Sequence, residues 1–251
     1  ATDGHSAVIT LQYIYTLQQA AKLYAYFGKS AEADHYKALA AKVGEATYKR
    51  CFVESKNAMA NTPEQKEFSQ HAGIMALLAD VIPKEKETSV MQTLLHDESL
   101  GQATFYFRFY LIQAMKKIGM GDLYYAELKP WRDMLKVGLT TFAEKPEPAR
   151  SDCHAWSASP SYDFLSTICG INPLLPGFGA VEIKPALGEL TEVNATMLHP
   201  DGEIALQLKR KGKNGVEGMV TLPGSLKGKF IWQGKELILK GGTQQILMAS
   251  K

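Results

Sequence analysis

The sequence predicts a multidomain α and β protein: an array of paired helices over residues 1–175, followed by an antiparallel β-sandwich over 176–251. Three observations predict it. Apolar residues recur at intervals of three and four through the first two thirds of the chain. Past Gly170 an alternation with a period of two takes over. Between the two textures stand Pro173, Pro176, Gly177 and Gly179, the composition of a linker. A chain of 251 residues has ample core for either one large domain or two smaller ones.

The first segment, ITLQYIYTLQQAAKLYAYF, carries Ile9, Tyr13, Leu17, Ala20, Leu23 and Phe27 at helical spacing, which predicts one inward apolar face. Gly28 suits its C-terminal cap. Ser30 opens a second helix with Ala33, Tyr36, Leu39, Ala40, Val43, Ala46 and Tyr48 inward, completing a helical hairpin. A polar loop with Asn57, Asn61 and Pro63 follows, then helices over 66–82 and 84–96 on either side of Pro83. GQATFYFRFYLIQAMKKIG begins an unusually aromatic helix. DLYYAELKPWRDMLKVG completes that pair, with a kink or break at Pro130. A last helix is expected over 155–169. The total is about seven helices, without the fixed period of a solenoid, so a toroid of hairpins is the better expectation.

The second texture resolves into VEIKP, LTEVNATML, EIALQLKRK, GVEGMVTLP, GKFIWQG, KELILKG and QQILMA, separated by Gly, Pro, Asn or Asp. Ile204, Leu206 and Leu208 alternate with Ala205, Gln207 and Lys209, a half-buried strand. Seven short strands in a row predict the sandwich.

Composition excludes several classes. Formal net charge is +2, from 28 basic and 26 acidic residues, with no dominating basic stripe, so nucleic acid is not an expected partner. The cluster KRKGK at 209–213 reads as a solvated turn. Apolar runs are short and interrupted, so no membrane-spanning helix is expected. Cys51, Cys153 and Cys169 form no CxxC pair, which disfavours zinc and a disulfide framework. No cofactor and no metal site is expected. No targeting leader is visible at ATDGHSAV, and a processed leader leaves no trace, so the compartment stays open.

The chemistry concentrates in GLTTFAEKPEPARSDCHAWSASPSYDF, residues 138–164, a long mixed loop between helical patterns. Glu144 ends the uncharged run GLTTFA, which would emerge from a helix end toward a pocket, a place that suits the water-activating carboxylate of glycoside hydrolysis. His154, ten residues on, suits a hydrogen bond to a sugar hydroxyl. Trp131 and Trp156, with Phe105, Tyr106 and Phe107, offer flat faces for sugar C–H groups. A blander reading stands beside each: a solvated glutamate, a structural histidine, core aromatics. Cys153 beside His154 lacks an orienting Asn or Asp, so it reads as a small buried packing residue and not as a nucleophile.

SDCHAWSASPSYDFL and GINPLLPGFGAVEIKPALGEL resemble the closing segment of bacterial α-L-rhamnosidases, inverting glycoside hydrolases with an (α/α)6 barrel. TTFAE resembles that family's Thr-Thr-x-x-Glu motif, and DGHSAVITLQYIYTLQQAAKLYAYFG its inner-helix segment; the resemblance covers nearly the whole chain. It implies a partial (α/α)6-type toroid, Glu144 as general base, and His154, Trp156, Thr141 and Phe105 in substrate binding. The implied partner is a rhamnose-containing glycan or glycoside, and the implied compartment periplasmic or extracellular. Ala143 stands where many relatives have tryptophan. No residue of the chain resembles the family's general acid, so the chain is expected to be a C-terminal portion, inactive alone. Exposed barrel interior around Tyr13, Phe105 and Phe107 would then favour a homodimer. Two other readings compete: a helical interaction scaffold with an appended sandwich, and a sugar-binding module in which Trp232, itself better read as core, is the one stacking residue.

Overall fold

The computed structural model describes residues 5–212 and 214–248. It divides into two compact units, Ala1–Met120 and Gly121–Lys251.

In the first unit, α1 (Ala7–Tyr26) starts where the Ser6 hydroxyl accepts the Ile9 amide at 3.3 Å. It stops at Gly28, whose φ of +72° is the left-handed cap that the sequence called for. Helix α2 (Ser30–Cys51) lies against it as a hairpin. Two short strands, β1 (Phe52–Val53) and β2 (Ala58–Met59), turn through left-handed Asn57. Helix α3 (Gln70–Leu78) is the centre of the unit, packed on α1, α4 (Lys84–His96) and α5 (Phe105–Lys117). Its one buried polar side chain, Gln70, donates to the Leu94 carbonyl and accepts the Ala103 amide, each at 2.7 Å. Lys117 donates to the carbonyls of Leu77 (2.9 Å) and Leu78 (2.6 Å), a cation placed on the negative end of α3.

Two expectations about this unit are corrected. The buried stripe of α1 is Ala7, Leu11, Ile14, Leu17 and Ala21, not the one that begins at Ile9. Ile9, Tyr13, Leu23 and Phe27 are exposed, because α1 carries two apolar stripes and packing against α2 and α3 uses the other. Phe105 and Phe107, expected on an exposed barrel face beside Tyr13, are buried. The ring of Phe107 rests 4.4 Å from His71 and 5.0 Å from Tyr110.

The second unit opens with a single turn at Gly121–Leu123, then α6 (Tyr124–Glu127) and α7 (Lys129–Lys136). Pro130 lies in the first turn of α7, so the expected break falls just before it. The last helix of the sequence reading is not continuous. A 3₁₀ turn (Ala155–Ser157) gives way to α8 (Ser159–Asp163) and then to a π-helical turn (Phe164–Ile168). Pro160 has no amide proton to continue a helix from Ala155, and it starts a new one instead.

Beyond Gly170 come β3 (Ile171–Pro173), β4 (Val181–Ile183), β5 (Glu192–His199), β6 (Gly202–Lys211), β7 (Gly215–Leu222), β8 (Gly228–Trp232), β9 (Lys235–Leu239) and β10 (Gly242–Met248). They form two four-stranded sheets, ordered β10-β7-β6-β5 and β3-β4-β8-β9. All neighbours are antiparallel except β4 and β8. Ile204, Leu206 and Leu208 are buried, as alternation requires, with Val220, Ile183, Phe230 and Ile246. Trp232 is core as well, and its Nε1 donates to the Asn214 carbonyl at 2.7 Å.

The basic cluster at 209–213 is only partly a solvated turn. Lys209 and Lys211 end on Glu192 (3.2 Å) and Glu217 (2.7 Å), and Arg210 donates to the carbonyls of Leu190 and Gly188. Lys213 lies outside the described residues, as do Ala1–Gly4 and Ala249 at the ends of the sequence segments above.

Candidate active site

The loop after α7 folds back on itself as a narrow hairpin. Two backbone hydrogen bonds cross it: His154 N–H to Phe142 O at 2.7 Å, and Glu144 N–H to Ser151 O at 2.8 Å. The Thr141 hydroxyl adds a third tie, donating to the Asp152 carbonyl. Residues 144–148 form a run of bends that carries prolines 146 and 148, and the chain reverses there. The result brings Glu144 and His154, ten residues apart in sequence, onto facing arms of one hairpin.

Glu144 is gripped by Arg150, which donates Nε to Oε2 at 3.0 Å and Nη2 to Oε1. This two-point pairing fixes the carboxylate plane. The glutamate side chain is 19% exposed and the arginine 77%, so the pair sits at the rim with the carboxylate on the inner side. The His154 ring lies 4.3 Å from the Trp156 indole at an interplanar angle of 54°. Trp156 is 51% exposed.

Behind the loop, Trp131 of α7 is buried and donates Nε1 to the Ser157 carbonyl at 2.8 Å, tying the far end of the hairpin to the helix that launches it. Asp163 is fully buried and accepts from Thr167 Oγ1 at 2.8 Å. Burial first, and then the charge of Asp163, push the Tyr124 phenol above its ordinary range. A cavity of about 390 Å³ lies at the foot of the hairpin, with Tyr125, Trp131, Leu139, Thr141, Phe142 and Phe164 in its walls.

The structure therefore gathers Glu144, His154, Trp156 and Thr141 on one hairpin. Thr141 serves as a tie across the loop. Phe105 belongs to the other unit and is 1% exposed, so its ring offers no open face to a sugar. Cys153, expected to be buried, is exposed, as its neighbour Asp152 is, because this arm of the hairpin lies on the surface. Arg150 was not singled out in the sequence. The available signal was that it is the sole guanidinium in the loop, set where a chain reversal after Glu144 would return it. Among the described residues, no three His, Cys, Asp or Glu side chains gather as a metal ion requires, and no helix is long and apolar enough to cross a membrane.

A family model described as the bacterial alpha-L-rhamnosidase 6 hairpin glycosidase domain matches residues 1–168, two thirds of the chain. The chain belongs to this family. Its fold is shared with solved rhamnosidases. The family 78 rhamnosidase of Bacillus sp. GL1 superposes with a TM-score of 0.75 at 24% identity, over 83% of this chain and 24% of that one. The α-L-rhamnosidase of Aspergillus terreus gives 0.79 at 19% identity, over 94% and 29%. A Klebsiella oxytoca rhamnosidase with rhamnose bound gives 0.58 at 24% identity, over 63% and 33%. The chain thus spans about a quarter to a third of the length of these rhamnosidases. No curated protein matches it.

Proposed function

We propose that the 138–158 hairpin supplies the water-activating half of a site that releases terminal α-L-rhamnose by inverting hydrolysis. Glu144 is the general base, drawing a proton from the water that attacks the anomeric carbon. His154 holds a sugar hydroxyl, and the half-exposed Trp156 stacks on the C–H side of the ring. The observation that carries this reading is the pair of backbone bonds that sets Glu144 and His154 on facing arms of one hairpin. Membership of the rhamnosidase family and the fold shared with a rhamnose-bound relative support it.

Inversion needs a second carboxyl, about 6.5–9.5 Å from the base, to protonate the leaving oxygen. No residue of this chain resembles that acid, and its loss forfeits a factor on the order of 10²–10⁴. The chain by itself therefore releases little or no rhamnose in this proposal, and it associates with a second copy of itself.

Calorimetric titration of rhamnose into the chain and into Glu144→Gln and His154→Ala variants tests the site. Binding by the parent chain that the histidine change weakens about tenfold or more supports the reading. Absence of binding, or binding indifferent to His154, overturns it, and so does brisk rhamnose release by the parent chain.

A further inference from the structure

Helix α7 holds both arms of the hairpin, one through the chain and one through a side chain. The arm with Thr141 and Glu144 leaves its C-terminal end, since α7 closes at Lys136. The arm with His154 and Trp156 comes back from the tip, and the Trp131 indole ties it to the same helix. That ring is buried, and its Nε1 donates to the Ser157 carbonyl at 2.8 Å.

Ser157 ends the 3₁₀ turn Ala155–Ser157, and its amide donates to the His154 carbonyl at 3.0 Å. The His154 amide donates in turn to the Phe142 carbonyl at 2.7 Å, back on the first arm. Three hydrogen bonds in series therefore run from α7 through the turn to His154, and they close on the arm that α7 launches. The backbone of His154 is held on both sides. This fixes where its imidazole leaves the chain, 4.3 Å from the Trp156 ring.

The turn needs such a hold. A 3₁₀ segment of three residues has few bonds of poor geometry and does not keep its shape alone. Tryptophan suits position 131 because it joins a large apolar ring, fit for burial, to a donor at the ring's edge. Phenylalanine fills much of the same space and leaves the Ser157 carbonyl without that donor. The acceptor is also specific in place: it lies three residues beyond the histidine of the candidate site.

We propose that Trp131 is a positioning residue, which sets the His154 arm opposite the Glu144 arm through the Ser157 carbonyl. Its buried ring meets no sugar. The proposal rests on the reading of His154 as the group that holds a sugar hydroxyl, and it names what keeps that group in place. Positioning matters steeply, since a displacement of about 1 Å can cost on the order of 100-fold.

Nuclear magnetic resonance of the full chain, without sugar, tests the linkage first. Bonds in series open together, so the Trp131 indole proton and the His154 and Ser157 amides are expected to share one protection against hydrogen exchange, within about fivefold. A wider spread, or free exchange of all three, overturns the proposal. In Trp131→Phe the His154 Cε1–H resonance is expected to move, because the imidazole shifts relative to the Trp156 ring. The Trp232 indole, bonded to the Asn214 carbonyl in the sandwich, stays where it was. An unmoved His154 resonance in a variant that is folded and only less stable assigns Trp131 to packing and overturns the proposal. If the variant does not fold, the protection shared by the three protons of the parent decides.

Rhamnose titration separates this proposal from the reading beneath it. Absence of binding by the parent chain refutes the sugar role of His154, while the resonances still decide whether Trp131 sets that residue in place. Where the parent binds, Trp131→Phe is expected to weaken binding about tenfold, and the double variant with His154→Ala to bind no more weakly than His154→Ala alone. Losses that add mean that Trp131 acts apart from His154, which overturns the proposal.

Discussion

Arg150 meets Glu144 at both carboxylate oxygens across the tip of the hairpin, closing a loop of five residues with a side-chain clasp. The same five residues contain two prolines, so the tip is stiff, and the clasp joins its two ends. The backbone bonds from Glu144 and His154 lie on the α7 side of that clasp.

Arg150→Ala removes the clasp and leaves the backbone ties. An ion pair with one partner so exposed contributes about 0.2–1 kcal/mol, so global stability falls by no more than that. Local opening gains the whole of it. Amide hydrogen exchange at Glu144 and His154 is expected to quicken by up to about fivefold, with amides of β6 and β7 unchanged. Unaltered exchange at both loop amides means the backbone ties hold the hairpin without Arg150.

Trp131→Phe keeps the buried ring but loses the donor to the Ser157 carbonyl. The acceptor left behind makes the cost about 1–3 kcal/mol, read from urea unfolding. Ser157→Ala has the opposite expectation. Its hydroxyl is fully buried and has no hydrogen-bond partner among the described residues, so its removal is neutral or slightly stabilising.

Gly170 links the π-helical turn to β3 with φ of +69°. A methyl group added there would stand 2.1 Å from the carbonyl carbon and oxygen of Lys184. Gly170→Ala is expected to cost about 3 kcal/mol or more, visible as a large drop in melting temperature or as insoluble expression.

Asp133 sits between Lys129 and Lys136, whose hydrogen bonds, both 2.7 Å, hold its carboxyl at about 2. A carboxyl lowered by folding lends stability that is complete above its ordinary value of 3.8 and vanishes as pH falls through about 2. Asp133→Asn is therefore expected to melt below the parent near neutral pH and to converge with it by about pH 2. A constant difference across the whole range would assign the effect to packing instead.

Several elements could be read directly from residues. Pro83 and the pattern after it place α4 at 84–96, and the alternation through Ile204 places β6, because a proline and a period of two each leave few choices. The active face of α1 could not be read that way. Periodicity marks a stripe as apolar without saying whether anything covers it, and α1 has two. The break at Pro160 was hidden by an otherwise helical pattern from Ala155 to Cys169. In the loop, Glu144, His154 and Trp156 were legible as candidates from their residue types alone. Arg150 was not, since its place depends on how the chain reverses at 145–149. Cys153 was misread for the same reason: whether a loop residue points in or out follows from hairpin pairing and not from its hydrophobicity.

The parallel pairing of β4 with β8 governs the order in which the second unit can assemble. Val181 is matched with Gly228, so that contact closes a loop of roughly fifty residues, whereas β5, β6 and β7 are joined by tight turns. The β5-β6-β7 meander is local and can form as soon as it leaves the ribosome. The β3-β4 ribbon must wait with an unpaired edge until β8 has been synthesised. Until then Val181 and Ile183, both fully buried in the finished fold, are open to solvent and to any other strand that passes. A ribosome stalled before Gly228 would thus display a sticky intermediate, and the short stretch from Gly228 to Trp232 is the piece that silences it.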